Sequence, residues 1–526
     1  MNITNKLKLT LSAVIMVAAV NEIKAQKPVY DYVIKKVTVF DGSGKDSVLA
    51  DVAIAGDTIA FFGNLKHKYK AHKTVKGKGL YLSPGFIDPH THYYTHLTHK
   101  DSTERILPRA VMQGVTTVFV GNDGDGPLPI KSAQAKVNQL KIGPNVAFLV
   151  GHNTVRRNVL GENDVQPTPA QLSEMEKVVE TAMTDGAFGI STGLFYTPGN
   201  YAKTEEVITL SKVAAKYGGI YDTHQRDEGA QGVGVVKSTQ EVLNIGYKAH
   251  IPVHFSHIKI SGPLAWSKRD SVIYWIEKAQ HDGVKVTANQ YPYIASRTSL
   301  IAAVVPTWVR DGGVKAMRKR FQDSSLKDSI LNGITKLIAA RTGDADKLFI
   351  YAKNNPEINT KSLKKLADNW KISPEEAVMK ITAKESPSVH SFSMREEDVE
   401  TFMKKPWVMT GSDGGNDHPR GHATFSRYIE EYAMNRKLFS LSHAIYKSSY
   451  LTAQTFKIKK RGLIKQGYYA DLILFNPKKY KANNSYDNGE VLSSGVNYLW
   501  INGKTAIEKE NLVYSLSGKA LSLNQP

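Results

Sequence analysis

Two histidines two residues apart are the first candidates for chemistry in this sequence. His90 and His92 close an apolar segment that spans residues 84–92. Because residues i and i+2 of a strand lie on the same face, both imidazoles would reach one point. Neutral imidazoles side by side are ligands that Zn²⁺ and similar ions prefer. Such a pair also occurs on solvated strand edges, so it does not identify a metal site by itself.

Four more side chains of metal-binding or proton-transfer type follow strand-like segments. They are Asp123 after residues 116–120, His224 after 219–222, His257 after 253–256 and Asp413 after 407–410. Each of them alone has an ordinary explanation, such as a core hydrogen bond or an Asx-turn. Six candidates at five strand ends favour a shared metal centre.

The types of these residues indicate hydrolysis. Histidines with one carboxylate bind Zn²⁺ and leave a position for water, whose pKa then falls to roughly 7. A carboxylate that the ion does not fully occupy accepts a proton from that water and passes it to a leaving group. The sequence therefore predicts an enzyme that hydrolyses an amide or a related bond.

The elements that must position these residues alternate between strand and helix. Eight strand-like segments with helices between them predict a (β/α)8 barrel, and a doubly wound open sheet is the alternative. Two helix starts are explicit, because Thr168 precedes Pro169 and because residues 373–376 form a capping-box pattern. In a barrel of this type the active site lies at the C-terminal ends of the strands.

Both ends of the chain are rich in short strands. We predict that residues 26–84 and 455–526 form one small β-sandwich domain and that residues 85–454 form the barrel. Residues 297–400 interrupt the barrel between strands seven and eight with mainly helical signals. An insertion on this side covers the active site, so it is either a lid or a stabilising appendage.

Residues 1–25 are typical of a cleaved secretory signal. Lys6 and Lys8 precede an apolar run too short to span a bilayer, and Ala25 is a small residue at the expected cleavage site. We therefore expect export to the periplasm or the medium. The absence of cysteine fits an oxidising compartment.

The formal net charge is +20, but the lysines are scattered along the chain. A nucleic-acid-binding protein concentrates its charge in a stripe with aromatic residues between, so no nucleic-acid partner is predicted. No later segment is apolar for long enough to cross a membrane, and no membrane partner is predicted either. The sequence leaves the oligomeric state open.

Several motifs make the sequence similar to a known family. Residues 84–92, 114–117, 223–224, 256–257 and 411–414 resemble the amidohydrolase superfamily. Within it, five stretches resemble the N-acyl-D-amino-acid deacylases (D-aminoacylases): residues 191–196, 224–228, 256–259, 290–293 and 418–420. Residues 461–471 resemble the strand that closes the small domain in that family. The resemblance covers nearly the whole mature chain and is weakest in residues 297–400.

The resemblance implies roles for individual residues. His224 and His257 would bind Zn²⁺ with Asp123, while His90 and His92 would bind a second or alternate ion. Asp413 would be the general base and acid. The substrate carboxylate would be bound by Arg420, Lys259, Tyr196 and Tyr291, and an arginine suits this task because guanidinium and carboxylate form a bidentate pair.

One position departs from the family pattern. Where family members commonly carry a cysteine after strand two, this chain has Asp123. A carboxylate binds one ion or bridges two, and it is a harder ligand than a thiolate. The sequence therefore leaves one or two Zn²⁺ ions as alternatives.

These observations predict a metal-dependent hydrolase that cleaves the acyl amide bond of N-acyl-D-amino acids. A small-molecule N-acyl amino acid is the expected partner. One alternative is another amidohydrolase activity on a carboxylate-bearing amide, such as a dipeptidase or a cyclic amidase. A binding protein that has kept the barrel without catalysis is the other alternative.

Overall fold

The structure is a computed structural model, and it describes residues 27–66, 68–415 and 417–524. The predicted signal peptide, residues 1–25, lies outside the described residues. In the described part of the chain, no helix combines the length and the apolar character that a membrane crossing requires.

The strands of the described residues, in chain order, are β1 Val29–Val39, β2 Val48–Ala55, β3 Thr58–Gly63, β4 Lys70–Lys76, β5 Tyr81–Pro84, β6 Phe86–Asp88, β7 Val115–Val120, β8 Asn145–Phe148, β9 Val150–Gly151, β10 Gly189–Gly193, β11 Ile220–His224, β12 Val253–Phe255, β13 Val286–Gln290, β14 Ala295–Ser299, β15 Leu348–Tyr351, β16 Lys361–Ser362, β17 Ser388–Phe392, β18 Val408–Thr410, β19 Leu472–Phe475, β20 Val496–Ile501, β21 Lys504–Glu508 and β22 Asn511–Leu512.

The α-helices, in the same order, are α1 Tyr94–Leu97, α2 Ser102–Ile106, α3 Pro108–Val111, α4 Ile130–Leu140, α5 His152–Leu160, α6 Pro169–Thr184, α7 Thr204–Lys216, α8 Val235–Ala249, α9 Arg269–His281, α10 Leu300–Val304, α11 Thr307–Arg310, α12 Gly313–Arg320, α13 Lys327–Arg341, α14 Leu363–Trp370, α15 Pro374–Lys384, α16 Glu396–Lys404, α17 Arg420–Arg427, α18 Leu441–Ser448 and α19 Tyr450–Thr455. A π-helical segment, Tyr428–Asn435, continues α17.

The eight parallel strands of the barrel form two arcs, and the third strand is divided at Leu149 into β8 and β9. One arc is β6-β7-β8, and the other is β9-β10-β11-β12-β13-β18. The arcs join at Leu149, whose N–H donates to the carbonyl of Val120 at 2.9 Å, and a bridge between Thr91 and Gly414 links the first and last strands. All residues of β7 and β10 are buried, as parallel strands covered on both faces require. This is the (β/α)8 architecture that the sequence predicts.

The helix starts follow the predicted capping chemistry. The Thr168 hydroxyl accepts the N–H of Gln171 at the start of α6, and the Gln171 side chain accepts the Thr168 N–H in return. Ser373 and Glu376 form the same reciprocal pair at the start of α15. These caps satisfy N–H groups that have no partner in the first helical turn.

The small domain is a single nine-stranded sheet built from both ends of the chain. Its two halves meet where β5 pairs antiparallel with β19, and its core includes Val52, Leu82, Leu474 and Trp500. Strand β1 pairs first with β4 and then with β5, and between these two segments, from Ile34 to Val37, its register with β2 shifts. A bulge of this kind bends the strand locally and increases its twist.

The insertion between β13 and β18 has its own core. Ile334 of α13, Leu348 of β15 and Val389 of β17 pack together in a cluster separate from that of the barrel. The sequence predicted mainly helices here, and helices α10–α15 are present. They cover a four-stranded antiparallel sheet in the order β14-β17-β15-β16, whose strands of two to five residues are too short for a clear sequence signal.

The end of the chain returns to the barrel. After β22, the carbonyl of Lys519 accepts the N–H of Val146 at 3.0 Å, and the N–H of Leu521 donates to the carbonyl of Val146 at 2.8 Å. The sequence analysis assigned this tail to the small domain, whereas it lies against barrel strand β8.

Candidate active site

The six candidate residues lie at one face of the barrel. His90 and His92 follow β6, Asp123 follows β7, His224 ends β11, His257 follows β12 and Asp413 follows β18. Because parallel barrel strands all end at the same face, residues separated by more than 300 positions in the chain become neighbours.

The chain turns sharply at three of these residues. Asp123, His257 and Asp413 have φ values of 55°, 34° and 47°, in the left-handed region. Non-glycine residues seldom adopt this conformation, which costs on the order of 1–3 kcal/mol. The turns place all three side chains beside the imidazole of His90, so backbone strain is concentrated where the functional groups converge.

The carboxylate of Asp123 lies at the centre of four imidazoles. Its oxygens lie 3.4 Å from His90 Nε2, 3.5 Å from His92 Nε2, 3.7 Å from His224 Nδ1 and 3.4 Å from His257 Nε2. Two ligand atoms that each lie about 2.0–2.2 Å from one tetrahedral ion are separated by roughly 3.4 Å. The observed spacing therefore fits ligands around a shared cation.

The hydrogen bonding of the cluster supports the same conclusion. Both nitrogens of the buried His90 ring and one oxygen of Asp123 have no hydrogen-bond partner. Buried polar atoms are almost always paired, so these atoms require a ligand such as a cation. Burial lowers the pKa of His90 to about 4, which keeps the imidazole neutral as metal binding requires.

Two overlapping groups in the described residues have the spacing of a metal site. One contains His90, Asp123, His257 and Asp413, and the other contains His224, Glu228 and His257. The ligand atoms of each group lie within 4.8 Å of one another. Sharing of His257 between the groups is compatible with one ion or with two.

Asp413 lies between the histidines and an arginine. One of its carboxylate oxygens is 3.1 Å from His92 Nε2, and the other is 2.7 Å from a guanidinium nitrogen of Arg420. Burial would raise the pKa of Asp413, but Arg420 and the surrounding histidines outweigh burial and hold this pKa below its usual range. The carboxylate is therefore ionised and able to accept a proton.

Glu228 is a site residue that the sequence analysis did not single out, although it lies in the motif at residues 224–228. Its carboxylate is 3.0 Å from His257 Nδ1, 3.6 Å from His224 Nε2 and 2.6 Å from Lys259 Nζ. Burial opposes the charge, but Lys259 and the two histidines hold the pKa of Glu228 below its usual range. The sequence signal that could have identified Glu228 was its position four residues after His224.

The four residues predicted to bind a carboxylate surround the same space. Tyr291 lies under Arg420 and Lys259, with the two cations 4.7 Å and 5.7 Å from its ring centre. Tyr196 contacts the ring of His224 and accepts a hydrogen bond from Thr298 at 3.2 Å. The hydroxyl of Tyr291 and one terminal nitrogen of Arg420 are buried without a partner, so both can bind a substrate.

A cavity of about 240 Å³ opens onto this cluster. The barrel contributes the metal-binding side chains to its wall. The insertion contributes Ser296, Arg297, Thr298, Ser299 and Arg341. The segment that the sequence predicted as a lid or an appendage therefore forms part of the active-site wall.

Known proteins resemble the chain over nearly its whole length. It is 29% identical to a D-aminoacylase and 28% identical to an N-acyl-D-aspartate deacylase, both from Alcaligenes xylosoxydans xylosoxydans. Each alignment covers 94% of this chain, with 98% and 95% of the two relatives.

Solved structures agree with the sequence comparison. A D-aminoacylase crystal structure superposes with a TM-score of 0.80 at 29% identity, covering 94% of this chain and 100% of the other. The N-acyl-D-glutamate deacylase from Bordetella bronchiseptica, solved with zinc and a phosphonate inhibitor, gives a TM-score of 0.80 at 26% identity, with 94% and 99% covered.

The family assignment rests on a longer match than any single motif. The sequence profile of the amidohydrolase family matches residues 73–507, which include the whole barrel, the insertion and the strands that close the small domain. The six strand-end residues described above all lie within this match. The chain therefore belongs to the amidohydrolase family, as its motifs predicted.

Proposed function

We propose that this protein hydrolyses the acyl amide bond of N-acyl-D-amino acids and releases a carboxylate and a free D-amino acid. The observation that carries the proposal is the unpartnered guanidinium nitrogen of Arg420, which lies beside Asp413 and the histidine cluster. A substrate carboxylate bound there places its neighbouring amide next to Asp413. The similarity to the D-aminoacylase and to the N-acyl-D-aspartate deacylase supports this substrate class.

We propose Zn²⁺ as the cofactor. His224, His257 and Asp123 would hold the ion, and His90 and His92 would hold a second or alternate one, with Asp123 close enough to all four rings to bridge. When bound, the ion lowers the pKa of a coordinated water to roughly 7 and polarises the acyl carbonyl. The zinc in the similar N-acyl-D-glutamate deacylase structure supports this choice.

Asp413 moves the proton in this proposal. Its ionised carboxylate accepts a proton from the attacking water and delivers it to the amide nitrogen as the C–N bond breaks. Arg420 positions the carboxylate of Asp413 through two contacts, from Nη2 to Oδ2 at 2.7 Å and from Nε to the backbone carbonyl at 2.9 Å. The same arginine thus aligns the base and binds the substrate.

The α-carboxylate of the substrate would lie between Arg420 and Tyr291. Both offer a buried donor without a partner, and a carboxylate between them satisfies both. Lys259 adds positive charge over the ring of Tyr291, although Glu228 already neutralises part of it at 2.6 Å. Tyr196 accepts a hydrogen bond from Thr298 of the insertion, so the insertion helps to position it.

We also propose that the protein is exported. The charged start and short apolar run of residues 1–25 support a cleaved secretory signal. N-terminal sequencing of protein secreted or released from the periplasm should begin near Gln26. An intact Met1 on the mature protein would contradict export by this route.

The function is tested by a panel of N-acetyl-D- and N-acetyl-L-amino acids, dipeptides and cyclic amides with Zn²⁺-reconstituted protein. We expect hydrolysis of N-acetyl-D-amino acids and at least tenfold lower kcat/KM for the L-series. Preferential turnover of dipeptides or cyclic amides would replace the proposed substrate. Binding without turnover of any substrate would favour the non-catalytic alternative.

A further inference from the structure

The cations that line the catalytic cavity differ in how their charge is balanced. Three of them contact a carboxylate, and the pairs are Lys259 with Glu228 at 2.6 Å, Arg297 with Asp417 at 2.9 Å and Arg420 with Asp413 at 2.7 Å. Arg341 also lines this cavity, and within the described residues no carboxylate lies within salt-bridge distance of its guanidinium. One buried guanidinium at the site therefore has no carboxylate in direct contact, although the charges of Glu228 and Asp227 act on it from farther away.

The guanidinium of Arg341 is held in a fixed orientation by neutral oxygens. It donates from Nε to Ser391 Oγ at 2.8 Å, from Nη1 to Gln231 Oε1 at 3.2 Å and from Nη2 to Ser296 Oγ at 3.3 Å. The residue is only 7% exposed, so water does little to solvate the charge. A buried cation with only neutral partners is costly, and an anion that enters the cavity would offset this cost.

Arg341 approaches the metal cluster from a different side than Arg420. It ends helix α13 of the insertion and lies 6.0 Å from the ring centre of Phe195, which stacks on His224 at 5.4 Å. Its neighbours Phe195 and Gln231 follow strands β10 and β11, whereas Arg420 contacts Tyr291 after β13 and Asp413 after β18. The cavity thus offers two separate guanidinium groups.

We propose that Arg341 is a specificity-determining residue that binds a second carboxylate, the side-chain carboxylate of an N-acyl-D-glutamate or N-acyl-D-aspartate. This inference rests on the proposed function, in which Arg420 binds the α-carboxylate. Overall similarity does not distinguish the substrates, because identities of 29% and 28% to the D-aminoacylase and the D-aspartate deacylase are nearly equal. Arg341 does distinguish them, because an acidic side chain would pair directly with its guanidinium, whereas an apolar side chain would leave it with neutral partners only.

The test compares acidic substrates with their neutral amides. For the Zn²⁺-reconstituted full chain we expect kcat/KM for N-acetyl-D-glutamate or N-acetyl-D-aspartate to exceed that for N-acetyl-D-glutamine or N-acetyl-D-asparagine by at least tenfold. In Arg341→Met this ratio should fall towards one, and Arg341→Lys should keep part of it. As a measurement independent of turnover, free D-glutamate should inhibit the wild type competitively more strongly than D-glutamine, and Arg341→Met should remove the difference.

Arg310→Met is the matched control. Arg310 is another buried arginine of the insertion, but it lines a neighbouring cavity. The acid-to-amide ratio should be unchanged in this variant. Equal or faster hydrolysis of the amides by the wild type would overturn the assignment of Arg341, and so would a ratio that survives Arg341→Met. If no N-acyl-D-amino acid is hydrolysed at all, the proposed function itself fails, which is a distinguishable result.

Discussion

Three structural features of Asp413 suit it to act as the proposed base. It contacts His92 at the metal cluster, pairs with Arg420 and takes a left-handed backbone conformation that aims its carboxylate into the cavity. Replacing the carboxylate with an amide of the same shape removes the proton acceptor and leaves the packing largely intact. Asp413→Asn therefore separates chemistry from structure.

We expect Asp413→Asn to lower kcat by roughly 10²–10⁴-fold, the usual contribution of a general acid–base group. Bound zinc, measured by atomic absorption, should remain near the wild-type stoichiometry because His224, His257 and Asp123 are unchanged. Near-wild-type turnover in this variant would contradict the assignment of Asp413 as the base.

Asp123→Asn tests the centre of the metal cluster. The carboxylate lies within 3.7 Å of four histidine rings, so loss of its charge should weaken zinc binding by at least tenfold. Zinc content after dialysis against a weak chelator is the measurement. Asp125→Asn is the control, because the Asp125 side chain is 56% exposed, pairs with Arg157 and belongs to neither group of potential metal ligands. Equal zinc retention in both variants would argue against Asp123 as a ligand.

At the scale of elements, the short segments after the barrel strands supply and orient most of the side chains of the site. A buried strand needs mainly β-branched and aromatic residues, as β7 shows, but the residues just beyond its end must turn the chain inward. Positive φ values at Asp123, His257 and Asp413 mark these turns. The strands determine where each turn begins, and the backbone conformation of the turn determines the direction in which the side chain points.

Helix α18 contains an unusual buried lysine. Lys447 is fully buried and donates to the carbonyls of Met403 and Lys405 at 2.6 Å each, near the end of α16. Burial lowers the pKa of Lys447 to about 7, whereas an unfolded lysine has a pKa of about 10.4. Between these values the unfolded chain binds a proton that the folded chain does not, so stability falls as the pH falls.

We therefore expect the Tm of the wild type, relative to Lys447→Met, to decrease as the pH is lowered from 10 to 7 and to level off below pH 7. The full effect on the free energy of unfolding is at most about 5 kcal/mol. Thermal denaturation at several pH values is the measurement, with the exposed Lys404→Met as the control. A Tm difference that is constant with pH would show that Lys447 does not titrate in this range.

At the scale of the whole molecule, the two ends of the chain hold the architecture together. The N-terminal strands need β19–β22 to complete their sheet, and the last residues then return to pair with β8 under the barrel. The small sheet and the barrel are thus tied by the same C-terminal segment. Loss of the C-terminal residues that pair with β8 should therefore destabilise the barrel as well as the small sheet.

Leu521→Ala tests this tie. Leu521 is only 7% exposed and packs in a cluster with Phe119, Ile220 and Met409 of the barrel strands. Truncating it should cost about 2–3 kcal/mol, at the lower end for buried leucine. Leu512→Ala in the exposed edge strand β22 should cost less than about 0.5 kcal/mol. Denaturant midpoints of the two variants provide the comparison, and equal midpoints would contradict a structural role for the tail.

Removal of metal should also lower the stability of the whole molecule. The six clustered residues, His90 to Asp413, lie at the ends of five barrel strands. A ligand that binds only the folded state raises stability by about 2.7 kcal/mol at 100 times its Kd. We expect a chelator to lower the Tm and added Zn²⁺ to restore it. A Tm that is indifferent to both would show that no ion binds at this cluster with useful affinity.

Much of the fold was predictable because its signals are local. Buried β7 and the caps at Thr168 and Ser373 depend on residues within a few positions of one another, and the sequence prediction of the barrel is confirmed. The four-stranded sheet of the insertion was missed because strands as short as β16 carry no periodic pattern. The path of the final residues was missed because a tail has no local signal for the strand it will pair with.

The sequence by itself determined the kinds of group at the site and their order along the chain, since His90, His224, His257 and Asp413 each follow a recognisable strand. Only the tertiary structure decided which charges neutralise one another. Lys259 pairs with Glu228 and Arg420 pairs with Asp413, whereas Arg341 of the insertion contacts neutral oxygens and no carboxylate directly. The physical reason is that strand ends are set by neighbouring residues, whereas charge pairing depends on contacts between segments far apart in the chain.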